Sequence, residues 1–271
     1  MAENWTLGFV GAGVMAETML SGALSRGVLS PERIVASDPN AQRRDHLAST
    51  YGVRVFAENL EVVQKADLVV LGVKPQSLPR LLPQLLGKIP EGTQILSIVA
   101  GASINALQEG LGHPSVARAM PNLPCRIHCG TTVWTGANGD HGDRVRAVLS
   151  CMGDAIEVDQ EKHIDRATAV NGTGPAIIAE FVKAFMEAAT YIGQPRDLAR
   201  ASVLSTLKGT VEMISQSEDH VAQLVDEVTS PGGTTSRALQ VLKKGKLAAV
   251  VTDSVDAAYQ RTLELGRGLK E

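Results

Sequence analysis

Aromatic side chains are scarce in this chain of 271 residues, which has four Phe, three Tyr and two Trp. A sugar or single-stranded nucleic-acid platform, which binds by stacking on rings, is therefore not expected. The core must come from Ala, Val, Leu and Ile, which suit strands buried on both faces and closely packed helices. Cationic excess is also lacking: 26 Lys and Arg stand against 29 Asp and Glu, a formal charge of -3. With no basic block, neither nucleic acid nor an anionic membrane is an expected partner. The N-terminal MAENWTLGFVGAG has no basic stretch followed by a long apolar one, so no signal peptide or membrane span is expected. Three cysteines, Cys125, Cys129 and Cys151, are too few and odd in number for a disulfide framework, and a reducing cytoplasm is the natural setting. Cys125 to Cys129 (CRIHC) lacks further ligands at suitable spacing, so no metal site is expected and the thiols read as ordinary loop residues.

What remains is an ordinary globular composition, 44% hydrophobic and 20% charged. This length favours two domains. Up to about Val158, short apolar runs alternate with helical patterns, the signature of a doubly wound parallel α/β sheet covered on both faces. Strands are expected at Leu7 to Val10, Ile34 to Ser37, Val53 to Phe56, Leu68 to Val73, Ile95 to Val99, Val116 to Ala119, Thr131 to Trp134 and Ala155 to Val158. After Val158 the alternation stops and helix dominates. The expected organisation is a Rossmann-like dinucleotide-binding domain over 1–160 and a helical domain over 161–271. A helical domain this thin is expected to complete its core against a second subunit.

The first strand runs into Gly11-Ala12-Gly13-Val14-Met15-Ala16, a G-x-G-x-x-A spacing with a helix following. In such a turn Gly11 permits the bend, Gly13 lets the backbone approach a pyrophosphate, and Ala16 lets helix and strand pack closely. Asp38, just past the second strand, suits the adenosine ribose and favours NADH; Arg43 and Arg44 nearby suit a 2′-phosphate, so the choice between NADH and NADPH stays open. Lys74, in Val73-Lys74-Pro75 at the carboxyl end of the fourth strand, reads equally as a cofactor contact or as a solvated residue before a turn proline. Thr229 to Thr235 (TSPGGTT) opens a helix with amides and hydroxyls gathered in one place, which reads as a carboxylate cradle or as a plain N-cap.

Together, GAGVMA at 11–16, VKP at 73–75, SIVAGAS at 97–103, RAMPN at 118–122, GTGPA at 172–176 and TSPGGTT at 229–235 resemble the Δ1-pyrroline-5-carboxylate reductase family, in order and over essentially the whole chain. The resemblance implies reduction of 1-pyrroline-5-carboxylate to L-proline by NAD(P)H, the last step of proline biosynthesis. It also implies a helical domain that binds substrate and interleaves with its partner in a homodimer or a higher multiple of dimers. Carried over position by position, it gives a cofactor site of Gly11, Ala12, Gly13, Val14, Met15, Ala16, Asp38, Asn59, Val73, Lys74, Pro75, Ala100 and Gly101. Ser230, Gly232, Gly233 and Thr234 would hold the substrate carboxylate, the Thr235 hydroxyl would hydrogen-bond the ring nitrogen as the catalytic contact, and Glu161 would lie near the substrate.

Three positions depart from the family pattern. Thr173 and Ile177 stand where relatives usually carry Ser and an aromatic ring, and Glu227 stands where many carry an amide. A six-membered imine, or another cyclic imino acid, is therefore an alternative substrate. A β-hydroxyacid dehydrogenase is a rival reading, but four residues after Gly174 stands Ile178, where that class needs its Lys. A cofactor-binding homologue without turnover is the other, and the intact SPGGTT segment argues against it. His46, His113, His141, His163 and His220 have polar neighbours in sequence and are expected at the surface.

Overall fold

The computed structural model describes residues 4–267. Eight strands form one sheet: β1 (Leu7–Val10), β2 (Ile34–Ser37), β3 (Arg54–Phe56), β4 (Leu68–Leu71), β5 (Gln94–Ser97), β6 (Val116–Pro121), β7 (Gly130–Thr135) and β8 (Gly153–Glu157). Their order is β3-β2-β1-β4-β5-β6-β7-β8. The interleaved helices are α1 (Val14–Ser25), α2 (Ala41–Tyr51), α3 (Asn59–Val63), α4 (Leu78–Leu85), α5 (Ile104–Leu111) and α6 (Gly139–Ser150). Strands β1 to β6 run parallel, as the alternation predicts, but β6 and β7 pair antiparallel. The cause is connection length. Only a short 3-10 turn, Leu123–Ile127, joins β6 to β7, and a parallel return needs a crossover of a dozen or more residues. Helix α6 then supplies such a crossover, and β8 is parallel to β7.

Alternate residues of the same strand enter different cores. Leu7 and Phe9 of β1 and Leu68 and Val70 of β4 pack with Met19, Leu20, Val145 and Leu149 of α1 and α6. Val10, Val69 and Leu71 pack with Val62, Leu78, Leu85 and Leu107 of α3, α4 and α5. With both faces covered, the strands have no solvent side, which is why they read as continuous apolar runs.

After β8 come α7 (Lys162–Ala167), a π-helical turn at Thr168–Gly172, α8 (Gly174–Tyr191), α9 (Arg196–Gln216), α10 (Val221–Glu227), α11 (Thr234–Lys244) and α12 (Leu247–Arg267). The chain divides into two compact units, 1–173 with 257–271, and 174–256. This division falls later than the boundary expected at 160. Ile164 of α7 is fully buried, and Arg118 of β6 bonds Glu161 and Asp165, so the segment after 160 stays with the sheet. The second unit has a small core of its own, Ala189, Ala199 and Val203 with Val182, Met186 and Leu207 packed against it.

Candidate active site

In the order β3-β2-β1-β4 the strands stay parallel but the strand order reverses between β1 and β4, and ligands of open α/β sheets lie at the carboxyl ends beside such a switch point. A groove of about 550 Å³ opens there, lined by Gly11, Gly13, Asp38, Asn59, Val73 and Lys74 of the expected cofactor residues. Gly11 has φ +87°, and a Cβ on it would lie 2.9 Å from Val73 Cγ1 and 3.0 Å from the Gly72 carbonyl oxygen. Only glycine fits that bend. Gly13 is different: its φ of -66° suits any residue, and the nearest atom to a Cβ there is the Gly72 oxygen at 3.9 Å. The space over Gly13 is open, and α1 begins at it with no side-chain cap, leaving first-turn amides without a side-chain acceptor. An uncapped helix start over an open glycine fits a pyrophosphate. Ala12 and Ala16 are buried in the packing of α1, while Val14 is exposed and Pro75 opens the 3-10 turn after β4. Met15 is half-buried against the core beneath.

The carboxylate of Asp38 accepts the Ala12 amide at 3.0 Å and the Asn40 amide at 2.9 Å, so it fastens β2 to the glycine turn. Asn40 caps α2, its Oδ1 accepting from Gln42 N at 2.9 Å and Arg43 N at 3.4 Å. Arg43 reaches back over the turn, donating from Nε to the Ala12 carbonyl at 2.5 Å and from Nη2 to Glu17 Oε2 at 2.5 Å. Glu17 also accepts from Tyr51 at 2.9 Å and meets His46 Nε2 at 2.8 Å. Burial acts to raise the Glu17 carboxyl, but hydrogen bonds from Arg43, His46 and Tyr51 outweigh it and hold the group below the ordinary carboxylate value. Arg44 donates to the Asp38 and Pro39 carbonyls at 2.8 and 3.1 Å. Asn59, the first residue of α3, accepts from Ser37 Oγ at 2.9 Å and donates to Gln84 at 3.2 Å.

Ala100 and Gly101 follow β5, and Gly101 lines a separate hollow of the same unit with Ser103, Arg118, Glu161, Asp165 and Thr262. Arg118 is 3% exposed, donating to Glu161 at 2.9 Å and to Asp165 at 2.7 Å. Glu161 Oε1 also accepts the Ile104 amide at 2.8 Å, at the start of α5. The carboxylate that the resemblance sets beside substrate thus has two donors of its own chain. Below the π-helical turn, Asn171 donates to the Met120 and Thr131 carbonyls at 3.0 and 2.9 Å and accepts from Asn122 at 2.7 Å. This anchors the segment leading into α8 on β6 and β7. Thr173 spends its hydroxyl on the Ala169 carbonyl.

In the second unit, Ser230, Gly232 and Gly233 form a compact turn that leads into α11, of which Thr234 and Thr235 are the first two residues. Gly232 has φ +72°, and the Gly233 amide donates to the Ser230 carbonyl at 3.1 Å. A Cβ on Gly233 would fall 2.3 Å from Ser230 Oγ. Helix α11 also starts without a side-chain cap, so the amides after Gly233 lack the usual acceptor. Ser230 and Thr234 are exposed, and Thr235 is half-buried.

Sequence reasoning missed the Glu17 cluster, Arg118 as the partner of Glu161, and the groove residues Glu58, Ser77, Arg80 and Gln84. No local pattern marks them, because each is set by contacts distant in sequence. His113 is a correction: it is 4% exposed, its Nε2 2.6 Å from the Thr93 carbonyl, because α5 returns it to the start of β5.

Comparison with known proteins gives two matching family models. Residues 161–265 match pyrroline-5-carboxylate reductase dimerisation, and residues 6–101 match NADP oxidoreductase, coenzyme F420-dependent. A pyrroline-5-carboxylate reductase of Synechocystis sp. is 38% identical over 96% of this chain and 98% of its own. That of Arabidopsis thaliana is 37% identical over 98% of this chain and 97% of its own. Among solved structures, a pyrroline-5-carboxylate reductase from Coxiella burnetii superposes with TM-score 0.87 at 30% identity, covering 97% of this chain and 99% of the other. Plasmodium falciparum pyrroline carboxylate reductase with NADP bound superposes with TM-score 0.85 at 29% identity, covering 98% and 100%.

Proposed function

The chain belongs to the pyrroline-5-carboxylate reductase family, and on that premise we propose that it reduces 1-pyrroline-5-carboxylate to L-proline with NAD(P)H, the last step of proline biosynthesis. The observation that carries this is the near full-length match to reductases, 38% identical over 96% of this chain, in a chain that carries both the glycine turn and the SPGG segment. It supports the reductase reading over the dehydrogenase and non-catalytic ones.

Gly11 to Ala16, Asp38, Asn59, Val73 to Pro75, Ala100 and Gly101 hold the dinucleotide, an assignment supported by the open space over Gly13 and the uncapped start of α1. When bound, NAD(P)H supplies a hydride to the C=N carbon. That carbon is electrophilic only when the ring nitrogen is protonated or strongly hydrogen-bonded. The Thr235 hydroxyl orients the nitrogen, while Ser230, Gly232, Gly233 and Thr234 hold the carboxylate. The uncapped amides at the start of α11 support an anion at this place. Glu161, held by Arg118, stands near the substrate and keeps the start of α5 in place. The substrate enters as the iminium or takes its proton from water, so catalysis is mainly positioning and electrostatics.

The functional division assigns 1–160 to the dinucleotide and 161–271 to substrate and dimerisation. The helical unit exposes Ile178, Phe181 and Phe185 along α8, an apolar face for a second copy. A homodimer or a higher multiple of such dimers, a cytoplasmic setting and the absence of membrane or nucleic-acid partners complete the reading; three free thiols, and no described helix long and apolar enough to cross a membrane, are consistent with it.

The test is oxidation of NADH and NADPH with five- and six-membered cyclic imino acids, the latter because Ile177 replaces a ring. Turnover is expected with 1-pyrroline-5-carboxylate, and Thr235→Ala is expected to lower kcat/KM by about 10- to 1,000-fold with the fold intact. Full activity in that variant removes Thr235 from the site. Failure of both cofactors with every imine rejects the function.

A further inference from the structure

The turn between β2 and α2 has several of its donors already committed. The amides of Ala12 and Asn40 go to the two oxygens of Asp38, and those of Gln42 and Arg43 go to Asn40 Oδ1. The Arg43 guanidinium, which from sequence could have turned toward a phosphate, lies on the Ala12 carbonyl and is neutralised by Glu17 at 2.5 Å. Glu17 is in turn fixed by Tyr51 and His46, so releasing Arg43 would leave a half-buried carboxylate without its cation. Arg44 is drawn onto the carbonyls of Asp38 and Pro39. The groove wall beside this turn adds a second acid, Glu58. Its cations, Lys74 and Arg80, come after β4, which lies two strands from β2, roughly 9–10 Å across the sheet.

A ribose diol arriving at the end of β2 therefore finds a fixed carboxylate acceptor. A 2′-phosphate there finds that same carboxylate as a like charge, and finds the Asn40, Gln42 and Arg43 amides and the Arg43 guanidinium already held by acceptors of the chain itself. We infer that this enzyme selects NADH over NADPH, with Asp38 as the specificity-determining residue, the Glu17–Arg43 pair holding Arg43 out of reach and the Asp38 and Pro39 carbonyls holding Arg44. The inference rests on the reading of the groove as the reductase's cofactor site, and it deepens that reading by choosing between the two dinucleotides.

The experiment titrates the purified full-length protein with NADH and with NADPH, following nicotinamide fluorescence without imine, and then measures kcat/KM for each with 1-pyrroline-5-carboxylate. The Kd for NADH is expected to be at least about tenfold below that for NADPH, with kcat/KM biased the same way. Asp38→Asn keeps an oxygen for the Ala12 amide and removes the charge, so the two Kd values should draw to within about threefold. Equal or tighter binding of NADPH by the wild type, or an unchanged ratio in a folded Asp38→Asn, overturns the inference. If that variant does not fold, the wild-type ratio decides alone. Selective NADH binding with no turnover of any imine refutes the proposed function and leaves the selection of NADH standing. Binding of neither dinucleotide refutes both.

Discussion

Two glycines two positions apart in the nucleotide turn are expected to fail in different ways when each is changed to alanine. At Gly13 the backbone is at φ -66° and a methyl would have its nearest neighbour at 3.9 Å, so the fold accepts the change. Stability should hold or rise by about 0.4–1 kcal/mol, since alanine has less unfolded-state entropy to lose. The methyl instead occupies the space through which a pyrophosphate would approach the start of α1. Overpacking there by about 1–3 kcal/mol is a loss of roughly 5- to 150-fold in cofactor affinity. At Gly11 the order reverses. An alanine at φ +87° carries about 1–2 kcal/mol of left-handed strain, and its methyl meets Val73 Cγ1 at 2.9 Å and the Gly72 carbonyl at 3.0 Å. Backbone cannot step aside as a side-chain tip can, so the melting temperature should fall by several degrees, about 2–4 °C for each kcal/mol lost. Thermal melting with and without NADH, together with fluorescence titration, separates the two cases. A Gly13→Ala protein that melts normally and binds cofactor as tightly as wild type would refute the placement of the pyrophosphate.

Two further expectations concern stability and assembly. Because the Glu17 carboxyl is held below its ordinary value of 4.5 in the folded chain, its contribution is fully present above that value and is lost as pH falls through the lowered one. Glu17→Gln should cost about 1 kcal/mol at neutral pH, after allowing for solvent screening, and should flatten the loss of stability on acidification; denaturant melts at pH 7 and pH 4 that keep the wild-type difference would rule this out. On α8, Phe185→Lys removes an aromatic side chain from an exposed apolar face that a symmetric dimer would bury twice. With 43% of each Phe185 exposed, a loss of about 1–3 kcal/mol per dimer weakens association by roughly 5- to 150-fold, and sedimentation equilibrium that finds the dimer unchanged would move the interface elsewhere.

Local sequence carried much of the first unit. Four-residue apolar runs such as Leu7–Val10 and Ile34–Ser37 mark strands buried on both faces, and the G-x-G-x-x-A turn marks where the first strand meets its helix. The short helix α3 and the reversed direction of β7 were not legible in the same way. The first has only five residues, too few for a clear helical period, and the second depends on a connection too short to cross over. Histidine placement failed for a related reason. His113 has polar neighbours in sequence, yet α5 delivers it to a buried backbone carbonyl.

By itself, then, the sequence determined the residues whose chemistry is local: the glycines of the turn after β1, the acid after β2, and the Ser-Pro-Gly-Gly-Thr-Thr segment that opens α11. Periodicity and turn chemistry act over a few residues, so they can be read along the chain. Tertiary structure alone decided what those residues have left to offer a ligand. Arg43 and Glu17 are 26 residues apart, and Arg118 and Glu161 are 43 apart; no local pattern joins them. A charge read in isolation is a candidate for a phosphate or a substrate. The same charge at hydrogen-bond distance from a half-buried opposite one is already satisfied, and that difference is the ground on which a preference for an unphosphorylated ribose is proposed.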